Sequence, residues 1–241
     1  MANDVGRGDV VFTTSFSYIA TAEVAKLLGA TVIFCDINDE TFNICPISLQ
    51  DEITKAKEGN LNPKAIIAVD IFGLPARYRE LEEIAKSNSL FLIQDMAQSF
   101  GSSIRSRKGG TFGDISATSF FPTKPLGCYG DGGAIFTQNE ELATKIDSIR
   151  LHGRGQQKYE NIRVGVNSRL DTIQAAILIE KLKIFPQEIK RWKIKIIVKG
   201  HIHTDILMKE VLKREYNLLG KTRLSHIWHM TIDKDDKPLI I

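Results

Sequence analysis

Lys124 lies between two prolines, in Thr118-Ser119-Phe120-Phe121-Pro122-Thr123-Lys124-Pro125-Leu126-Gly127, and a glycine-dense turn follows, Cys128-Tyr129-Gly130-Asp131-Gly132-Gly133-Ala134. Pro122 and Pro125 fix their own φ and restrict the residues before them, which places Lys124 on a stiff, non-helical connection. The glycines let backbone come close to something flat or anionic. An amine held this way and partly stripped of water can lose its proton and act as a nucleophile. Taken alone, a solvated turn lysine is the commoner arrangement. Other residues decide between the two.

Asp95 stands two residues past Ile93, at the end of the apolar run Leu90-Phe91-Leu92-Ile93. It is either a carboxylate offered at a strand's end or a cap for the amides of Ala97 or Gln98. Gln98 follows by three positions, so one helical turn would put both on the same side. Ser119 offers a hydroxyl five residues before Lys124, although a turn serine is the plainer reading, as is an N-cap-region role for Asn167. Tyr18, judged alone, is a buried core tyrosine. Arg169 can grip a carboxylate with two parallel bonds or pair with Asp171. His201, His203, His226 and His229 could be read as metal ligands, but no third ligand converges with them, so no metal is expected. A nucleotide-binding module is the weakest reading, because Gly127-x-x-Gly130-x-Gly132-Gly133 lacks the G-x-G-x-x-G spacing and no G-x-x-x-x-G-K-[ST] occurs.

These residues need a frame, and the apolar pattern supplies one. Val10-Val11-Phe12, Thr31 to Asp36, Lys64 to Val69 and Leu90 to Ile93 read as strands. Tyr18 to Leu28, Ser48 to Lys57 and Arg79 to Lys86 read as the helices between them. Gly29 suits the position just past a helix end, and Ser48 with Asp51 suits a capping box. Strand–helix alternation with strands apolar throughout is the pattern of a mainly parallel sheet covered on both faces. Ligands of such sheets bind beyond the carboxyl ends of the strands, where Asp95 stands. Ser102 to Gly113 reads as an exposed hairpin, Ile115 to Phe121 and Ala134 to Thr137 as strands around the lysine turn. Glu140 to Arg150 and Leu170 to Leu182 read as helices, with Asp171 in the first turn of the latter. Beyond Pro186 the pattern loosens: Glu188 to Arg191 could open a helix, while Lys193 to Ile196 alternates like a strand.

The composition is that of an ordinary globular chain: 241 residues, 43% apolar, 25% charged and 8% aromatic. No apolar run reaches the ~18 residues of a membrane span, and the first residues contain no apolar signal core. Cys35, Cys45 and Cys128 are odd in number and show no ligand spacing, which fits a reducing cytoplasm. From Lys181 onward 14 basic residues face 7 acidic ones, so the tail is positive. It lacks interleaved aromatics, and a solvated helix face rather than a nucleic-acid surface is expected there.

The segment Ser119 to Gly127, followed by Gly130-Asp131-Gly132-Gly133-Ala134, resembles the lysine segment of the DegT/StrS-type sugar aminotransferases over a long, ungapped stretch. The likeness runs from about Gly6 to Pro186 and includes Gln94-Asp95-Met96-Ala97-Gln98-Ser99-Phe100-Gly101, with Met96 where the family often has Ala. It implies an α/β fold: a PLP-transferase (aspartate aminotransferase-like) large domain over 1–185 with a mostly parallel central sheet. Residues 186–241 would be a remnant of a small C-terminal domain. Lys124 would carry pyridoxal 5′-phosphate (PLP) covalently and then act as the base. Asp95 would face the ring nitrogen, Gln98 the ring oxygen, Ser119 the phosphate and Tyr18 the ring face. Asn167 would reach the phosphate of a partner subunit in a homodimer, and Arg169 would bind substrate. The branch most like this chain aminates UDP-linked 3-oxo acetamido uronic acids, with glutamate the expected amino donor, in surface-glycan biosynthesis. From the resemblance, the family's N-terminal helices, its Gly-Thr phosphate turn and most of its small domain are expected to be missing from these residues. That raises an alternative expectation: a truncated, inactive aminotransferase-fold protein or subunit that binds PLP weakly.

Overall fold

The computed structural model describes residues 1–157, 159–191, 229–231 and 238–240. Met1–Leu178 forms one compact unit and Ile179–Ile241 a second. In the first, six strands form one sheet: β1 (Asp9–Thr14), β2 (Thr31–Cys35), β3 (Asn62–Val69), β4 (Phe91–Asp95), β7 (Ile115–Ser119) and β8 (Gly133–Phe136), in the order β2-β1-β3-β4-β7-β8. All pairings are parallel except β7 with β8. The exposed hairpin is present as β5 (Ser103–Ile104) and β6 (Arg107–Lys108). Arg107 pins it with two bonds to Glu82 at 2.9 and 2.8 Å.

Helices cover both faces. On one lie α2 (Pro46–Glu58) and α3 (Tyr78–Asn88), whose Leu49, Ile53, Tyr78 and Leu81 close a core with Val10, Phe12, Ile66 and Leu92. On the other lies α1 (Ala20–Leu27), where Ala25 packs with Val11, Ala65 and Ile67. Strand residues thus alternate between the faces. The order reverses between β1 and β3, a switch point that opens a crevice at the strands' carboxyl ends.

Alternation sends Asp70, just past β3, toward the α2/α3 face. It is fully buried and accepts from Tyr78 Oη at 2.6 Å, Ser99 Oγ at 2.6 Å, Gln94 Nε2 at 2.8 Å and the Ala76 amide at 3.1 Å. Desolvation raises its pKa, and those four donors pull the other way. Asn43 holds the 3-10 turn Ile71–Gly73 beside it, accepting from the Ile71 amide and donating to Leu74 O.

Several boundaries differ from expectation. Pro46, whose φ is already helical, opens α2 two residues before Ser48. Ser48 therefore does not cap it, and Ser48 Oγ accepts from the Asp36 amide at 2.8 Å instead. Gly29 has φ +85° past α1, as a C′ glycine should. β7 stops at Ser119 rather than Phe121, because Pro122 offers no amide to continue the ladder. α4 (Glu140–Arg150) is capped by Asn139, which accepts from the Leu142 amide. α5 spans Thr172–Arg191 and continues through Pro186, past the expected stop at Leu182. Asp171 precedes it rather than lying in its first turn, and contributes its backbone carbonyl to Ala175 N. A short antiparallel pair, β9 (His229–Thr231) with β10 (Pro238–Ile240), belongs to the second unit. Lys193–Ile196, His201, His203 and His226 fall outside the described residues. Among the described residues no helix is long and apolar enough to cross a membrane.

Removing the Tyr78 hydroxyl tests the Asp70 cluster. Asp70 has its folded pKa raised above its unfolded one, so its ionisation costs stability as pH rises through that window. Tyr78→Phe deletes a donor to the ionised form and should cost about 1.5–3 kcal/mol at pH 7. Urea unfolding at pH 7 and at pH 4 should show a smaller loss at the lower pH.

Candidate active site

Four strand ends and the loops beyond them build the site. Asp95 closes β4, and its register partner on β7 is Ala117. Residues 115, 117 and 119 share one face with residues 93 and 95, so Asp95 and Ser119 lie on the α1 side of the sheet. Gln94 and Ser116 lie on the opposite side, where Ser116 Oγ donates to Gln94 Oε1 at 2.8 Å. Alternation alone separates the half-buried Asp95 from the fully buried Asp70.

Past Ser119 the chain turns tightly. Phe121 O accepts from the Lys124 amide at 2.9 Å, and Phe120 O accepts from the Cys128 amide at 2.7 Å. A Cβ on Gly127 would sit 2.5 Å from Pro122 O, so only glycine lets this turn close. The closure leaves the Lys124 side chain half-buried. Burial lowers the pKa of its amine, and the Asp95 carboxylate works in the opposite direction. That opposition places Lys124 within the field of Asp95. The neutral amine, the nucleophilic form, is favoured relative to a solvated lysine.

Asp95 partly fills the capping role as well: its Oδ1 accepts from the Ala97 amide at 3.1 Å, above a turn rather than a helix. Its Oδ2 accepts from Thr21 Oγ1 at 2.9 Å. Gln98 is half-buried and uses Oε1 to accept from the Phe72 amide at 2.6 Å, which leaves its Nε2 donors for another partner. Ser119 Oγ accepts from the Phe121 amide at 3.2 Å, so its own proton remains available to an acceptor.

Tyr18 corrects the core expectation. It is 59% exposed, because α1 begins only at Ala20 and the ring lies on the connection before it. Phe16 packs instead, stacked on Phe42 with ring centroids 5.2 Å apart and meeting Phe72 edge-on at 5.8 Å. Asn167 and Arg169 lie on an exposed stretch, where Arg169 Nε donates to Asn167 Oδ1 at 2.9 Å instead of pairing with Asp171. No hydrogen bond or ion pair among the described residues joins either of them to Asp95 or Lys124. Among the described residues no group of three His, Cys, Asp or Glu is placed to hold a metal ion.

The donor set suits PLP: a half-buried amine, a carboxylate at a strand end whose charge reaches it, a hydroxyl with its proton unspent and an exposed aromatic ring. Sequence reasoning missed Ser17 and Thr21, which stand behind Asp95. Their only signal was two hydroxyl residues spaced by four at a helix start, where capping is the usual reading.

A desolvated lysine and a carboxylate at the carboxyl edge of an α/β sheet are two of the groups that a PLP site needs. This chain belongs to the DegT/DnrJ/EryC1/StrS aminotransferase family, whose model matches residues 1–210. It is 49% identical over 189 residues to a UDP-2-acetamido-2-deoxy-3-oxo-D-glucuronate aminotransferase of Pseudomonas aeruginosa, covering 78% of this chain and 51% of that one. It is 40% identical over 177 residues to a UDP-N-acetyl-3-dehydro-alpha-D-glucosamine 3-aminotransferase of Acidithiobacillus ferrooxidans, covering 73% and 46%. The chain thus spans about half the length of the curated relatives it matches. Among solved structures, a DegT DnrJ EryC1 StrS aminotransferase from Brucella abortus superposes with a TM-score of 0.79 at 38% identity, over 99% of this chain and 68% of that one. NtdA from Bacillus subtilis, solved with its bound cofactor PMP, superposes with a TM-score of 0.70 at 32% identity, over 79% and 42%.

The opposing influences on Lys124 can be separated. In the cofactor-free chain Asp95→Asn should lower the Lys124 pKa further, since only desolvation then remains, and should speed its acetylation by trace acetic anhydride at pH 8. Peptide mass mapping would read this, and an unchanged Lys124 rate would show that Asp95 does not reach it.

Proposed function

We propose that this chain carries the cofactor-binding machinery of a PLP-dependent aminotransferase that moves an amino group, with glutamate as donor, onto C3 of a UDP-linked 3-oxo acetamido uronic acid. The observation that carries the reading is the half-buried Lys124 amine, on the turn past β7, its proton weakened by burial and held by the Asp95 carboxylate at the end of the neighbouring β4. The family and the two relatives named above support the reaction class and the kind of sugar.

When bound, PLP supplies an electron sink for the pair released as a C–H bond beside nitrogen breaks. The rest of the work falls to the chain. Lys124 Nζ would hold the cofactor, and its amine, its proton weakened by burial, would take and return the proton at the reacting carbon. Asp95 would hold the ring nitrogen's proton with its carboxylate. Gln98 Nε2 would donate to the ring oxygen, the Ser119 hydroxyl would donate to the phosphate, and Tyr18 would cover the ring face. Arg169 binds the sugar's carboxylate. On this reading residues 1–185 would be the large domain and 186–241 a remnant of the small one, although contacts divide the chain at Leu178 and Ile179.

We assign the active form as a cytoplasmic homodimer. Asn167 lies on a stretch whose apolar side chains face outward, Val164 at 83% and Ile173 at 73% exposure, and a second copy would cover them. Asn167 would then serve the partner's phosphate. The product, an amino sugar nucleotide, would feed polysaccharide assembly.

With PLP, the UDP-linked 3-oxo sugar and ¹⁵N-glutamate, the chain should place ¹⁵N on the sugar. A mixture of Lys124→Ala and Asn167→Ala chains should recover part of the activity that each lacks. PLP binding without any nitrogen transfer would overturn the reaction assignment, and failure of the mixture to recover would overturn the shared site.

A further inference from the structure

Ser17 and Thr21 sit at the start of α1, four residues apart, and both are buried, at 8% and 6% exposure. Hydroxyl residues at such a position ordinarily satisfy the helix's free amides. Here neither does. α1 has no side-chain cap, and the amides of Thr21, Ala22 and Glu23 go to Tyr18 O, Ile19 O and Ile19 O. Thr21 Oγ1 instead donates to Asp95 Oδ2, 74 residues away, at 2.9 Å, and lies 2.9 Å from Ser17 Oγ.

Proton accounting gives this link a direction. An ionised carboxylate can only accept, so the single Thr21 hydroxyl proton is spent on Asp95. Thr21 must then accept from Ser17, and the chain runs Ser17 to Thr21 to Asp95. Each bond polarises the next. Asp95 Oδ1 is held by the Ala97 amide. Both carboxylate oxygens are thus fixed, one from β4's own turn and one from α1. Tyr18 lies between the two hydroxyl residues in sequence, so the same link ties its backbone to the end of β4.

We propose that Thr21, backed by Ser17, is a positioning residue that sets the Asp95 carboxylate for the cofactor's ring nitrogen and holds Tyr18 in register with it. The proposal rests on the reading that Asp95 faces that nitrogen, but its immediate content is local: Thr21 keeps Asp95 from turning to Lys124. A carboxylate deprived of this donor seeks another, and Lys124 is the cation whose amine already feels Asp95.

The test uses the full chain without cofactor, so that it can fail separately from the assigned reaction. Thr21→Val keeps the shape and removes the donor. Asp95 should then close on Lys124 and raise its pKa, slowing acetylation of Lys124 at pH 8 by roughly three- to tenfold, which is half to one pKa unit. Thr21→Ser should restore the original rate. In an Asp95→Asn background Thr21→Val should change nothing, because the group it positions is gone. A purely structural loss would persist in that background. With PLP added, Thr21→Val should also shift the absorbance of the bound cofactor in the direction that Asp95→Asn does. An unchanged Lys124 rate in Thr21→Val, failure of Thr21→Ser to rescue it, or an equal effect with Asn at 95 would each overturn the proposal.

Discussion

Side-chain alternation along one strand, Phe91–Asp95, keeps two systems of polar groups apart. Gln94 faces α2 and α3, where it joins Asp70, Ser99 and Tyr78 in a closed cluster of donors and acceptors. Asp95, one residue on, faces α1 and the lysine turn. A slip of one residue in β4's pairing with β3 and β7 would exchange the two, burying Asp95 among donors and presenting an amide to the cofactor. β3, buried from Ala65 to Val69, and β7, buried at Ser116 and Thr118, fix that register, so the chemistry depends on parallel pairing before it depends on any loop.

The two systems have opposite energetics. Asp70 is expensive to bury, and its four donors offset the cost only while all are in place. Lys124 is also held from water, but its desolvation is useful: it weakens the hold on the proton that a nucleophile must shed. The stiff connection through Pro122 and Pro125 and the close passage of Gly127 over Pro122 O keep the amine from escaping to solvent. Asp95 moderates the effect, and the hydroxyl link to α1 decides how strongly.

Much of this was legible from residue types. Short runs that are apolar throughout marked the strands, their alternation with helices marked the parallel sheet, and the prolines around Lys124 located the turn. Asp95 was legible as a strand end because the apolar run before it stops at Ile93. The misses share a cause: they depend on contacts between distant segments. Tyr18 looked like core because aromatic residues usually are, and only the late start of α1 leaves its ring outside. Ser48 looked like a cap until Pro46 opened the helix earlier. The bond from Thr21 to Asp95 joins residues far apart in sequence, and nothing local to either announces it. Asn167 and Arg169 could be picked out by resemblance, yet within one chain they meet each other rather than the lysine.

The account stands most directly on the lysine. The chain should be incubated with PLP, reduced with borohydride, digested and mapped by mass spectrometry. The account predicts one pyridoxyl group per chain, on Lys124, and none in Lys124→Ala. A pyridoxyl group on another lysine, or one retained in Lys124→Ala, would contradict it.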